Sequence, residues 1–251
     1  MECLRRIEER GATEVSRKVR GQAGEIWRYA IATGRAERDI AADLRGALKP
    51  HIGKNYSHIT DPKQLGQLLR EVEGYCGSPM VKTALRLLPL VFTRPGEFRA
   101  AKWVDIDLDA KEWRYVAAKT GTNHIVPLSD QAVQYLRDIH PLTGNGEYVF
   151  GVRGGIRPLS DGTINAALKT LGYTSDVIQP HGFRHTAATM LAEMGWNTEA
   201  IDRQLAHKEQ GVKGVYQKAQ YLDERKKMMQ AWADYIDGLK SGASVIPFKA
   251  A

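Results

Sequence analysis

Gln179-Pro-His181-Gly-Phe-Arg184-His-Thr186, then Gln204-Leu-Ala-His207, then Tyr216 within Gly214-Val-Tyr216-Gln-Lys218, is the stretch from which the rest of the chain is read. Pro180 marks a helix entry, and His181 and Arg184, three residues apart, fall on one face of its first turns. Gly195 stops that helix. Asn197 or Thr198 caps the next, which leaves His207 at or near its C-terminal end. Singly, these residues have ordinary roles: a histidine caps or packs, an arginine is a surface cation, a tyrosine is half buried. Their combination within 36 residues is what points to chemistry. A phenol with an ordinary pKa near ~10 needs neighbouring cations to favour phenolate. It also needs donors to hold a pentavalent phosphate, and arginine offers the planar fork that matches two phosphate oxygens. The stretch reads as a helical frame that grips a phosphate and attacks it with Tyr216.

Working outward, Thr60-Asp61-Pro62 and Ser78-Pro79 each begin a helix with proline in the first turn. The second is so rich in leucine that it reads as buried nearly all round. It delivers Thr93-Arg94-Pro95-Gly96-Glu97, a costly place for a charge without a partner, and Glu97 could orient the Arg94 guanidinium. The alternative is a helix-breaking loop with an exposed arginine. Strand signals follow at 103–108, 113–117 and 124–127, a small antiparallel sheet with Lys119 at its tight turn. A hairpin lysine can reach into a groove, or can simply solubilise the turn. Ser129 and Ser160 cap two further helices, to about Ile139 and Leu171. Beyond Tyr216, Leu222, Met229, Trp232, Ile236 and Leu239 recur at three, four and seven, an apolar stripe on a terminal helix. That stripe either packs on its own domain or docks on a neighbouring subunit.

Residues 1 to about 48 read as helices only: a short amphipathic start, a helix from Thr13 to about Gly34, and another over 38–48 stopped by Pro50. The run Arg17, Lys18, Arg20 follows a phosphate backbone or forms a solvated face. From 49 to 59 the chain reads as a linker. The expected fold is mainly α with a small antiparallel β-sheet (α+β), divided at 58/59. The chain has 251 residues, 43% hydrophobic and 26% charged, the balance of a soluble globular protein. No signal peptide and no membrane-spanning apolar run is visible. Cys3 and Cys76 have no metal-ligand spacing, which points to the cytoplasm. A net charge of +7, from 36 Lys and Arg against 29 Asp and Glu, favours a polyanionic partner.

Taken in order, Thr-Arg-Pro-Gly-Glu (93–97), Lys119 before His-Ile-Val-Pro-Leu-Ser (124–129), His-Gly-Phe-Arg-His-Thr (181–186), Gln-Leu-Ala-His (204–207) and Tyr216 resemble the tyrosine recombinases, or phage integrases, of the satellite-phage prophage type. The resemblance continues into Tyr-Leu-Asp-Glu-Arg (221–225) and Trp-Ala-Asp-Tyr (232–235) and is good from about residue 60 to 240. It implies a catalytic domain at 59–251 in which Arg94 and Arg184 clamp the scissile phosphate and Tyr216 attacks it. Lys119 would protonate the leaving 5′-oxygen, His181 would assist proton movement, and His207 would hydrogen-bond the phosphate. It implies strand exchange through a 3′-phosphotyrosyl link with no metal, ATP or other cofactor. The implied partners are double-stranded DNA at attachment core sites, further copies of the chain in a tetrameric synapse joined through the C-terminal helix, and accessory DNA-bending or excision-directing proteins. The sequence departs from the family at its amino end, where residues 1–58 correspond to only part of the helical core-DNA-binding domain. A nicking and religating enzyme of the type-IB topoisomerase kind, or a non-cleaving DNA-binding remnant, would share most of these residues.

Overall fold

Residues 1–50, 56–152, 154–207 and 221–242 are described by a computed structural model of the chain, which divides into two compact units, Met1–Asn55 and Tyr56–Ala251. In the first unit, helix α1 (Glu2–Glu9) packs on α2 (Thr13–Ala32). The buried Ser16 hydroxyl donates to the Leu4 carbonyl at 3.1 Å. The helix expected over 38–48 is instead a series of turns. Asp39 is the cause, because its Oδ1 accepts from the backbone N–H groups of Ala41 and Ala42, at 2.9 and 3.2 Å, and so competes with helical pairing. Val15, Val19, Ile26 and Tyr29, the periodic apolar residues of α2, are exposed.

The second unit is built around α4 (Pro79–Val91), nine of whose thirteen residues are buried, as its leucine-rich sequence requires. Helix α3 (Pro62–Glu73) packs on it, capped by Asp61, whose carboxylate accepts from the N–H groups of Lys63 and Gln64. After the short α5 (Pro95–Arg99), a three-stranded antiparallel sheet runs β1 (Ile106–Asp107), β2 (Glu112–Ala117), β3 (Thr122–Pro127) in that order. The first of the three expected strands is mostly a 3-10 turn, Trp103–Asp105, leaving two residues to pair. The Trp103 indole donates to the Thr143 carbonyl at 3.1 Å and holds that turn against α6 (Asp130–Thr143). A two-stranded ribbon, β4 (Gly151–Val152) and β5 (Arg157–Pro158), leads into α7 (Thr163–Thr170). Helices α8 (Gly182–Glu193) and α9 (Thr198–Gln204) follow, and α10 (Leu222–Ser241) is the last described element.

The terminal stripe is filled within the chain. Met229, Trp232, Ile236 and Leu239 are buried as α10 packs on α3, α4, α6, α9 and β3, and the Trp232 indole donates to the Pro89 carbonyl at 2.9 Å. Gly66 of α3 makes this approach available: a Cβ there would lie 2.7 Å from the Leu239 carbonyl oxygen. Of the two readings of the stripe, packing on its own domain is the one this chain adopts.

Candidate active site

Three elements end at one place. Helix α4 closes with Phe92 in the left-handed region at φ 35°, fully buried, which turns the chain so that Arg94 stands at the corner before α5. Helix α8 begins at Gly182 because only glycine fits: a Cβ there would lie 2.1 Å from the Ser57 carbonyl oxygen. That contact seats His181 at the N-cap and Arg184 in the first turn. Helix α9, capped by the Asn197 side chain on the Glu199 N–H at 3.0 Å, ends in a left-handed exit at Ala206, φ 50°.

The last turn of a helix leaves carbonyls without partners inside the helix. Here three consecutive ones each accept from a basic side chain. His124 Nε2 meets the Gln204 carbonyl at 3.1 Å, Arg184 Nη2 donates to Leu205 at 2.7 Å, and Arg94 Nη2 donates to Ala206 at 2.8 Å. The other terminal nitrogen of each arginine is also fixed, Arg184 Nη1 on the Phe92 carbonyl at 2.8 Å and Arg94 Nη1 on Glu97 Oε1 at 3.1 Å. Glu97 is held in turn by the Tyr115 hydroxyl, which donates to its Oε2 at 2.9 Å. A guanidinium has five N–H donors, so two occupied donors on each leave a fork for an incoming anion. Arg184 is 5% exposed, and burial followed by repulsion from Arg94 brings its pKa down to about 10. Two cations sharing one buried corner with the Glu97 carboxylate favour a negatively charged ligand.

Imidazoles border this corner. His181 is half buried, and its pKa is lowered to about 4 by burial first, then by Arg184, His185, Arg94 and Lys119. Its ring centroid lies 4.2 Å from that of Tyr56 and 5.5 Å from that of His185, which is itself 5.5 Å from His58. His207 is exposed, with Nδ1 2.9 Å from Asp202 Oδ1. A cleft of about 280 Å³ is lined by His181, Arg184, His185, Asp202 and His207 among others. Lys119 is exposed in the connection between β2 and β3, and its charge is felt at His181. Arg94, Glu97, Arg184, His181, His207 and Lys119 thus meet in one region, while Tyr216 lies outside the described residues.

Sequence reasoning gave no role to Tyr115, His124, Gln204 or the Tyr56–His58–His185 group, although His124, Gln204 and His185 stand within the motif stretches. The others are joined by long-range pairing that no local spacing encodes. Among the described residues no group of three or more His, Cys, Asp or Glu side chains is placed to hold a metal ion. Among them, too, no helix is long and apolar enough to cross a membrane.

The phage integrase family profile matches residues 58–222, and the phage integrase central domain profile matches residues 1–47. The chain is 36% identical over 242 residues to the integrase of Shigella phage Sf6, covering 94% of this chain and 62% of that protein. It thus spans about three-fifths of the length of the curated relatives it matches. A crystal structure of a lambda integrase(75-356) dimer bound to a COC′ core site superposes with a TM-score of 0.65 at 20% identity, covering 82% of this chain and 76% of that one. A lambda integrase tetramer bound to a Holliday junction gives 0.63 at 21%, with 86% and 63% covered. These likenesses show the α+β fold.

Proposed function

The chain belongs to the phage integrase family of tyrosine recombinases, and from that membership we propose that it is the DNA-breaking and rejoining part of a site-specific recombinase. The observation that carries the proposal is the pair of guanidiniums hung on successive carbonyls of one turn, each with donors left for a phosphate. Arg94 and Arg184 neutralise the non-bridging oxygens as negative charge grows on them. Tyr216 forms the new phosphorus–oxygen bond as its phenol proton leaves. The bond from phosphorus to the 5′-oxygen breaks, and Lys119 gives that oxygen its proton. His181, held neutral near pH 7 by burial, is available to accept a proton. His207, oriented by Asp202, donates to the phosphate. The 3′-phosphotyrosyl bond conserves the energy of the broken one, so a second 5′-hydroxyl can reverse the step without ATP.

The substrate proposed is double-stranded DNA carrying an attachment core site, in the cytoplasm. Residues 1–58 are assigned to part of a helical DNA-binding domain and 59–251 to catalysis; in the first unit Arg20, Arg28 and Arg45 line one cleft. The working assembly is a tetramer on DNA joined through α10 by cyclic exchange, each groove being refilled by a neighbour's α10 so that the contacts made there are kept. Accessory DNA-bending or direction-setting proteins complete the reaction. The test is covalent capture from a library of nicked duplexes with a randomised core. The wild-type chain should trap duplexes of related sequence, and Tyr216→Phe should trap none while binding DNA as before. Equal trapping of every sequence would favour a topoisomerase-like activity. No adduct from any duplex would leave a DNA-binding protein that does not cut.

A further inference from the structure

The apolar stripe of α10 has a seven-residue interval between Leu222 and Met229, and the residue filling it at helical spacing is Arg225. An arginine on the inner face of a helix ordinarily stretches to water. Arg225 does the opposite and is fully buried, at 0% exposure. Its Nε and Nη2 donate to Gln204 Oε1 at 3.1 and 2.7 Å, and Nη2 also donates to the Ile125 carbonyl on β3. Gln204 is buried to the same degree, and its Nε2 makes no hydrogen bond among the described residues, so its amide is oriented from the Arg225 side. The backbone carbonyl of this same Gln204 is the first of the three that hold His124, Arg184 and Arg94. For stability alone a charge is a poor choice here, because well-packed apolar groups replace buried polar ones with little or no loss. What the guanidinium supplies is direction, since two donors on one acceptor and a third contact to β3 fix where residue 204 sits.

We propose that Arg225 is a positioning residue for strand cleavage: acting through Gln204, it holds carbonyls 204–206 in the register that aims Arg94 and Arg184 at the scissile phosphate. The proposal rests on the recombinase reading of the site. It makes the C-terminal helix a part of the catalytic frame as well as a packing element.

The experiment uses the full chain and the nicked duplexes that the wild type selects from the randomised library. Single-turnover trapping is followed at saturating duplex, together with duplex affinity and the thermal midpoint. Arg225→Met should slow trapping on the order of a hundredfold, as small displacements of catalytic groups do, with affinity unchanged. Gln204→Met should do the same, and the double variant should be no slower than the slower single one, because the two act as a unit. Gln204→Glu, which offers Arg225 a carboxylate in the same place, should keep the wild-type rate. Wild-type trapping by Arg225→Met, losses that multiply in the double variant, or a rate that falls only as affinity falls would each overturn the proposal. If Arg225→Met does not fold, the contrast between Gln204→Glu and Gln204→Met decides, and equal behaviour of those two overturns it. If the wild type traps no duplex, the recombinase reading is at fault. The guanidinium N–H resonances of Arg94 and Arg184 then test the tie directly: they should be slowed in the wild type and averaged in Gln204→Met, and no change overturns it.

Discussion

Arg184 and Lys119, the two ends of the proposed site, are held by opposite kinds of structure. Arg184 is 5% exposed in the first turn of α8, with both terminal nitrogens on backbone carbonyls. Lys119 is exposed, on the connection between two strands, where Gly121 takes φ 66° to close the turn. A group that stabilises growing charge is most effective when already in place, since any rearrangement during the reaction subtracts from its benefit. A group that delivers a proton needs reach, and a four-carbon stem on an exposed turn gives it. In the proposed mechanism the frame is built before substrate arrives, and the turn acts on it afterwards.

The largest test of that contrast is Arg184→Ala, expected to lower single-turnover cleavage roughly 10³-fold. It should also lower stability by about 1–3 kcal/mol, because the Phe92 and Leu205 carbonyls lose their donor in a buried place. Urea denaturation and trapping measured on the same preparation check both. Lys119→Ala should cost about 10²-fold in cleavage and leave the urea midpoint within about 0.5 kcal/mol of wild type, as for other exposed positions. A duplex whose 5′-bridging oxygen is replaced by sulfur, a leaving group that needs no proton, should restore its rate but not that of Arg184→Ala. Rescue of both would erase the distinction.

Helix α10 falls on the frame side. Trp232, 1% exposed and bonded to the Pro89 carbonyl, should cost about 3–5 kcal/mol as Trp232→Ala, read by chemical denaturation. A near-neutral result would place α10 outside the frame.

A further effect is in pH. Burial lowers His181 to about 4 and His124 to about 3, while unfolded histidines titrate near ~6.5. Between those values the unfolded chain binds more protons than the native one, so stability is complete above about pH 6.5 and is lost as pH falls toward 4 and 3. His124→Gln should flatten part of that slope, whereas Lys119→Ala should leave it unchanged.

Sequence alone carried the helix starts at Asp61, Ser78 and Ser129, the hairpin around Lys119, and the ordered set from Arg94 to Tyr216. Those signals are local: a cap, a proline in a first turn, a period of two or between three and four. It misread 38–48, where the Asp39 carboxylate outcompetes helical pairing, and overextended the strand at 103–108, where the Trp103 indole is drawn to α6. What only the tertiary structure decided is which groups hold the proposed catalytic ones. Tyr115 on Glu97, His124 and Arg225 at Gln204, and Phe92 beneath Arg184 join residues 18 to 92 positions apart. Periodicity fixes which face of an element is apolar, but not which buried carbonyl a distant guanidinium will reach. That is settled only when the helix ends meet and leave their unpaired carbonyls facing side chains brought from elsewhere in the chain.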